Sequence, residues 1–157
     1  MISQSVIISD AENLIDAQGF SSDITFIITG PLNHIGSLSK IWPSIIVGAT
    51  IYIMDGIKDL NTFFNVVKKV SGKVATFQVP ASLRMLIQFG EKQLKDCAEK
   101  FDFIETGAAP ISQADMEILC KLLPNTRLYN TYASTETGII ATHNFNDGYC
   151  VAGCLGK

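Results

Sequence analysis

The sequence predicts an α/β fold, a mainly parallel sheet with helices on both faces, and three observations carry that prediction. Short β-rich runs alternate with amphipathic runs of about ten to fifteen residues, which is the pattern of βαβ units. Caps, prolines and glycines fall at the junctions between runs. The 157 residues are 47% hydrophobic and only 17% charged, against roughly 25% charged in average proteins. A chain of this length buries roughly 70% of its unfolded surface in one core. A single α/β unit spanning 1–157 is therefore expected, and its low charge predicts that part of its surface is covered by something else.

Taken in order, Ser9 or Asp10 can cap a short helix through "SDAENL", and "DITFIITG" is a β-rich run that stops at Gly30-Pro31. A helix follows through "SLSKIWPSIIVG", where Pro43 must start or kink it. "ATIYIM" reads as a short buried strand. In "DLNTFFNVVKKV" Asp59 is the cap, and Leu60, Phe63, Phe64 and Val67 recur at helical spacing. "KVATFQV" is a strand, Pro80 opens the helix "ASLRMLIQF", and Gly90 closes it. After the strand "FDFIETG", Ser112 and Asp115 begin a helix whose apolar stripe is Met116, Leu119, Cys120 and Leu123. "TRLYNTY" and "GIIATHNF" are the last two strands.

Several function classes fall away. A net charge of -3 with no block of like charges gives no footprint for nucleic acid or an anionic membrane surface. The longest uncharged stretch, Ile24 to Ser39, is interrupted by Gly30, Pro31, Asn33 and His34 and is shorter than the roughly 18 residues of a spanning helix. No secretory leader follows Met1, so a cytoplasmic location is expected. Cys97, Cys120, Cys150 and Cys154 contain no CxxC pair, and neither His34 nor His143 lies at a ligand interval from them. Ordinary buried thiols are favoured over zinc or disulfides.

Two polar stretches interrupt the apolar pattern, "ETGAAPIS" from Glu105 and "NTYASTETG" from Asn130. Both fall at the carboxyl ends of strands, where parallel sheets gather ligands. Gly107, Ala108 and Ala109 let backbone approach a flat ligand and Pro110 stiffens the exit; a plain turn capped by Ser112 satisfies the same residues. Tyr132 offers an aromatic face for a base, Ser134 and Thr135 offer hydroxyls for phosphate oxygens, and Glu136 is a hard oxygen ligand for Mg2+. A solvated loop between two strands would use the same letters, and a packed residue after a strand would explain His34.

Asn130-Thr131-Tyr132-Ala133-Ser134-Thr135-Glu136 resembles the Asn-x-Tyr-Gly-x-Thr-Glu motif of the adenylate-forming (AMP-binding) superfamily, whose members include acyl-CoA synthetases, luciferases and peptide-synthetase adenylation domains. Pro31-Leu32-Asn33-His34-Ile35-Gly36 resembles the family's P-x-x-H-x-x-G, and Gly107-Ala108-Ala109-Pro110-Ile111-Ser112 its G-G-A-P-L-S, in the same order. The match covers nearly the whole chain and is weakest before Ser22. Ala133 stands where the family usually has glycine.

The resemblance implies a ligase of two steps. A carboxylic acid and ATP form an acyl-adenylate and pyrophosphate, and the thiol of CoA then takes the acyl group, with a fatty acid of the long-chain type or an aryl acid as the expected substrate. It assigns the adenine side to Asn130, Thr131, Tyr132, Ala133 and Ser134 with Gly107, Ala108, Ala109 and Pro110. Phosphate falls to Thr135, Mg2+ to Glu136 and the carboxylate or thioester path to His34. The family's phosphate loop, its ribose-binding aspartate and its small C-terminal domain have no counterpart in these residues. The expectation is one subdomain of a large N-terminal domain, inactive by itself and partnered by the rest of a parent synthetase chain. A non-catalytic adenine-nucleotide-binding module, or an adenylation domain loading a carrier protein, would carry the same motifs.

Overall fold

The computed structural model describes residues 3–155. Six strands form one sheet in the order β2-β1-β3-β4-β5-β6: β1 (Ile24–Ile28), β2 (Thr50–Ile53), β3 (Lys73–Phe77), β4 (Phe101–Gly107), β5 (Arg127–Ser134) and β6 (Gly138–Asn144). The first five are parallel and β6 runs antiparallel to β5. The helices are α1 (Gln4–Gln18), α2 (Ile35–Leu38), α3 (Ile41–Val47), α4 (Leu60–Lys69), α5 (Pro80–Asp96) and α6 (Gln113–Leu122), with one 3-10 turn at Ala98–Lys100. The predicted α/β class is the observed one.

Two apolar cores, one on each face, explain why the central strands are buried throughout. On one face Phe63, Phe64 and Val67 of α4, Leu83 and Leu86 of α5 and Met116 and Leu119 of α6 pack on Ile27, Val74, Ile104 and Leu128. On the other, Leu14 of α1 and Phe20 close over Phe26, Ala75, Phe103 and Tyr129, with Ile41 and Val47 of α3 at the edge. Phe20 and Phe26 stack at 5.5 Å, and the ring of Phe103 meets Phe20 edge-on at 5.2 Å.

The local signals explain most boundaries. Asp59 caps α4 by accepting from Asn61 N and Thr62 N, Ser112 caps α6 by accepting from Asp115 N, and Pro80 is the first residue of α5. Four expectations are corrected. The first helix is not short: Ser3 caps it, so Ser9 and Asp10 are interior, and the Asp10 carboxylate instead accepts from Ile139 N at 2.7 Å. Gly90 does not end α5, which runs on to Asp96; a Cβ there would stand 2.9 Å from the Phe64 ring, so the glycine serves the close packing of α5 on α4. The segment around Pro43 is two short helices, and Pro43 sits in the first turn of α3, where its missing N–H costs nothing. Finally, β2 is an edge strand, with Tyr52 and Ile53 exposed.

Among the described residues no helix is long and apolar enough to cross a membrane. The four cysteines are free. Burial, reinforced by the neighbouring Cys150, pushes the Cys120 thiol up to about 12, and burial also raises Cys97.

Candidate functional site

The two polar stretches end neighbouring strands, β4 and β5, whose pairing sets Thr106 against Asn130 and Gly107 against Thr131. Gly107 is required there. A Cβ on it would lie 2.7 Å from the Thr131 carbonyl oxygen, so any larger residue would push β4 away from β5. The next residue, Ala108, takes a left-handed backbone at φ 67°, a conformation that costs an L-residue about 1–2 kcal/mol. Ala133 has no such need. It lies within β5 at a register shift between Tyr132 and Ala133, so alanine serves where the family motif has glycine.

Alternation along β5 sends its side chains to opposite faces, and a cavity lies on each. The first, about 250 Å3, is lined by His34, Phe77, Glu105, Thr131 and Ile139, with Ser134 and Thr135 at its rim. The second, about 360 Å3, lies against Tyr132, Asn130, Ala109, Pro110 and the segment carrying Gly153 and Leu155. Ala108, Thr131 and Ala133 border both, so the ends of β4 and β5 form a wall between two compartments.

The expected site residues are thus brought together, in different roles. Tyr132 is 51% exposed in the second cavity, leaving its ring free to stack. Asn130 is buried and donates to the Cys154 carbonyl at 3.0 Å, pinning the outer wall of that cavity. The Thr131 hydroxyl pairs with that of Thr142 at 2.9 Å, beside the buried Gln18. Ser134 is occupied with the hairpin turn: its Oγ lies 2.8 Å from Thr137 Oγ1 and accepts from Thr137 N. Thr135 and Glu136 stand exposed on that turn. His34 caps α2 across the first cavity, its Nδ1 accepting from Gly36 N at 3.1 Å, which leaves the ring proton of the neutral form on Nε2.

Glu136 is one carboxylate on an open turn, and among the described residues no three His, Cys, Asp or Glu side chains gather to hold a metal. A single hard oxygen of this kind suits Mg2+, which keeps its waters and takes further ligands from phosphates.

Sequence reasoning missed the strongest electrostatic feature. Lys40 and Glu105, both fully buried, form an ion pair, with the ammonium 2.9 Å from Oε1 and 2.8 Å from Oε2. Lys40 Nζ also lies 5.7 Å from the centroid of the Phe77 ring. A signal existed: Glu105 stands inside the apolar strand "FDFIETG", and a charge in a buried strand demands a partner.

The family described as "AMP-binding enzyme" matches residues 1–157. The chain is 31% identical over 120 residues to 4-coumarate–CoA ligase-like 6 of Arabidopsis thaliana, a match covering 74% of this chain and 20% of the relative. In fold it is similar to O-succinylbenzoate coenzyme A synthetase of Bacillus subtilis in complex with AMP, at TM-score 0.85 and 20% identity over 100% of this chain and 31% of that one. ATP-bound MatB from Rhodopseudomonas palustris gives TM-score 0.83 and 20% identity, covering 99% and 30%. The chain therefore spans a fifth of the plant relative and under a third of the bacterial structures.

Proposed function

The chain belongs to the family of AMP-binding enzymes, and on that footing we propose that it forms the nucleotide-facing part of an acid–thiol ligase that activates a fatty or aryl carboxylic acid with ATP and passes it to coenzyme A. The carrying observation is the pair of cavities that meet at Ala108, Thr131 and Ala133. Two substrates that must react with each other need two compartments with a common border. A protein of this fold was captured with AMP and another with ATP, and the names of two relatives specify coenzyme A as thiol.

In this reading the adenine stacks on Tyr132 in the second cavity, edged by Ala108, Ala109 and Pro110, and the acyl group enters the first. A carboxylate oxygen attacks the α-phosphorus, the bond to the bridging oxygen breaks, and pyrophosphate leaves with that electron pair. The thiol sulfur then attacks the acyl carbon, its proton passes to solvent, and AMP departs. Such displacement depends on position and charge neutralisation more than on a protein nucleophile. Thr135 donates to phosphate oxygens, and Glu136 holds Mg2+, which supplies charge neutralisation there. His34 donates its Nε2 proton toward the carboxylate. Gly107 keeps the wall thin enough for the two compartments to meet.

The test is ATP–pyrophosphate exchange by the full-length polypeptide across a panel of fatty and aryl acids. Exchange that depends on one acid class, and falls by about a hundredfold or more in Glu136→Ala, is expected. Absence of exchange with every acid would overturn the reading, and unaltered exchange in Glu136→Ala would remove the role given to that residue.

A further inference from the structure

We infer that Gln113, the first residue of α6, is a positioning residue for the nucleotide: its side-chain amide holds the outer wall of the second cavity in place to receive ATP. The inference rests on the ligase reading above, in which that cavity takes the nucleotide, and it concerns the affinity for ATP and not for the acid.

The second cavity has two unlike walls. Its inner wall is the end of β4 and β5, with Ala108, Ala109 and Pro110 leading on toward α6. Its outer wall carries Gly153 and Leu155 and belongs to the segment 150–155, through which no helix or strand passes. A backbone bond from Cys154 N to the Val151 carbonyl, at 3.1 Å, closes a turn inside that segment and ties it to nothing else. Side chains do the tying. Asn130 donates to the Cys154 carbonyl at 3.0 Å. Gln113 donates through Nε2 to the Cys150 carbonyl at 2.8 Å and accepts at Oε1 from Ala152 N at 2.7 Å. One amide thus pairs with a carbonyl and an N–H two residues apart, as the backbone of a neighbouring parallel strand would.

That amide has one productive orientation. Its Nε2 also donates to Glu117 Oε1 at 2.9 Å, so both protons and the oxygen are engaged. Turned over, it would set its oxygen against the Cys150 carbonyl and the Glu117 carboxylate, and its NH2 group against Ala152 N–H. The chain that forms the inner wall runs through Pro110 and Ser112 to Gln113, and Gln113 returns to the outer wall. One side chain therefore sets the gap in which a base lies against Tyr132. A wall already ordered before the ligand arrives spares the complex the cost of ordering it on binding.

The experiment measures pyrophosphate exchange by the full-length polypeptide, with the KM for ATP and for the acid determined separately, and ATP binding by calorimetry. In Gln113→Ala the KM and Kd for ATP are expected to rise about fivefold or more, the effect of losing two neutral hydrogen bonds from the wall, while kcat and the KM for the acid change less than twofold. Gln113→Glu keeps the size of the side chain, loses both donated bonds and adds a negative charge beside the Cys150 carbonyl and Glu117, so its ATP affinity is expected to fall at least as far. Unaltered ATP affinity in either variant overturns the inference and leaves the ligase reading intact. An equal rise in the KM for the acid also overturns it, since that is general loosening. If no acid supports exchange yet both variants still weaken ATP binding, the ligase reading falls and the role of Gln113 stands.

Discussion

The two ends of the sheet treat polar groups in opposite ways. At the amino end of β3, β4 and β5, side chains are spent on closing the structure. Arg127 pairs with Asp102 and donates to the Gln18 carbonyl, Lys100 donates to the carbonyls of Val70 and Gly72, and the Asn146 amide serves those of Leu123 and Thr126. Thr126 Oγ1 is an exception, buried without a partner. At the carboxyl end the ledger is left open: Tyr132, Thr135 and Glu136 are exposed, and two cavities lie between the strand ends. Exposed polar groups and an aromatic ring beside a cavity are available to a ligand, and that difference points to the working end without reference to any motif.

Substitutions at each end sharpen this contrast. The largest expected effect is that of Lys40→Met, which strands the Glu105 carboxylate in the interior and costs about 3–5 kcal/mol; a shift in the denaturation midpoint smaller than that of an exposed lysine variant would refute it. Gly107→Ala, forced against the Thr131 carbonyl, is expected to cost about 1–3 kcal/mol and to depress pyrophosphate exchange, because it parts β4 from β5 at the wall between the cavities. Arg127→Met, at the closed end, removes a partly exposed pair and one carbonyl contact, for about 1 kcal/mol. Exchange kinetics should be untouched in that variant, and a change in KM for either substrate would break the distinction between the ends. The smallest effect is a gain. Ala108→Gly relieves a left-handed alanine but loosens the unfolded chain, a net stabilisation of about 0.5 kcal/mol, and calorimetry that finds a loss would count against strain at this position.

The sequence carried what is local. Asp59, Ser112 and Pro80 mark helix starts because a cap acts within one turn, and the stripe Met116-Leu119-Leu123 reads as a helix because 3.6-residue spacing needs only a dozen letters. The polar stretches after β4 and β5 were legible for the same reason, being contiguous. What escaped depends on who lies beside whom. The exposure of β2 follows from its place at the edge of the strand order, which no letter in "TIYI" encodes. Gly90 resembles a terminator until Phe64 is set against it. The division of Asn130, Thr131 and Tyr132 between two cavities needs the strand, since consecutive residues face opposite ways only once the segment is extended. Lys40 and Glu105 each appear as an isolated charge until the fold joins them.

The crossover connections have one more consequence. Because β2, β3 and β4 each lead directly into a helix, α4, α5 and α6 all begin at the carboxyl end of the sheet. Each peptide dipole along them points the same way, so three helix origins, each equivalent to about half a positive charge, fringe that end. The origin of α5 has no side-chain cap to absorb its free N–H groups. Only β5 departs from the rule: it turns back through Thr135–Thr137 into β6, bringing the carboxylate of Glu136. The topology itself therefore lays down a standing field that favours anions over most of one edge and a cation at one corner.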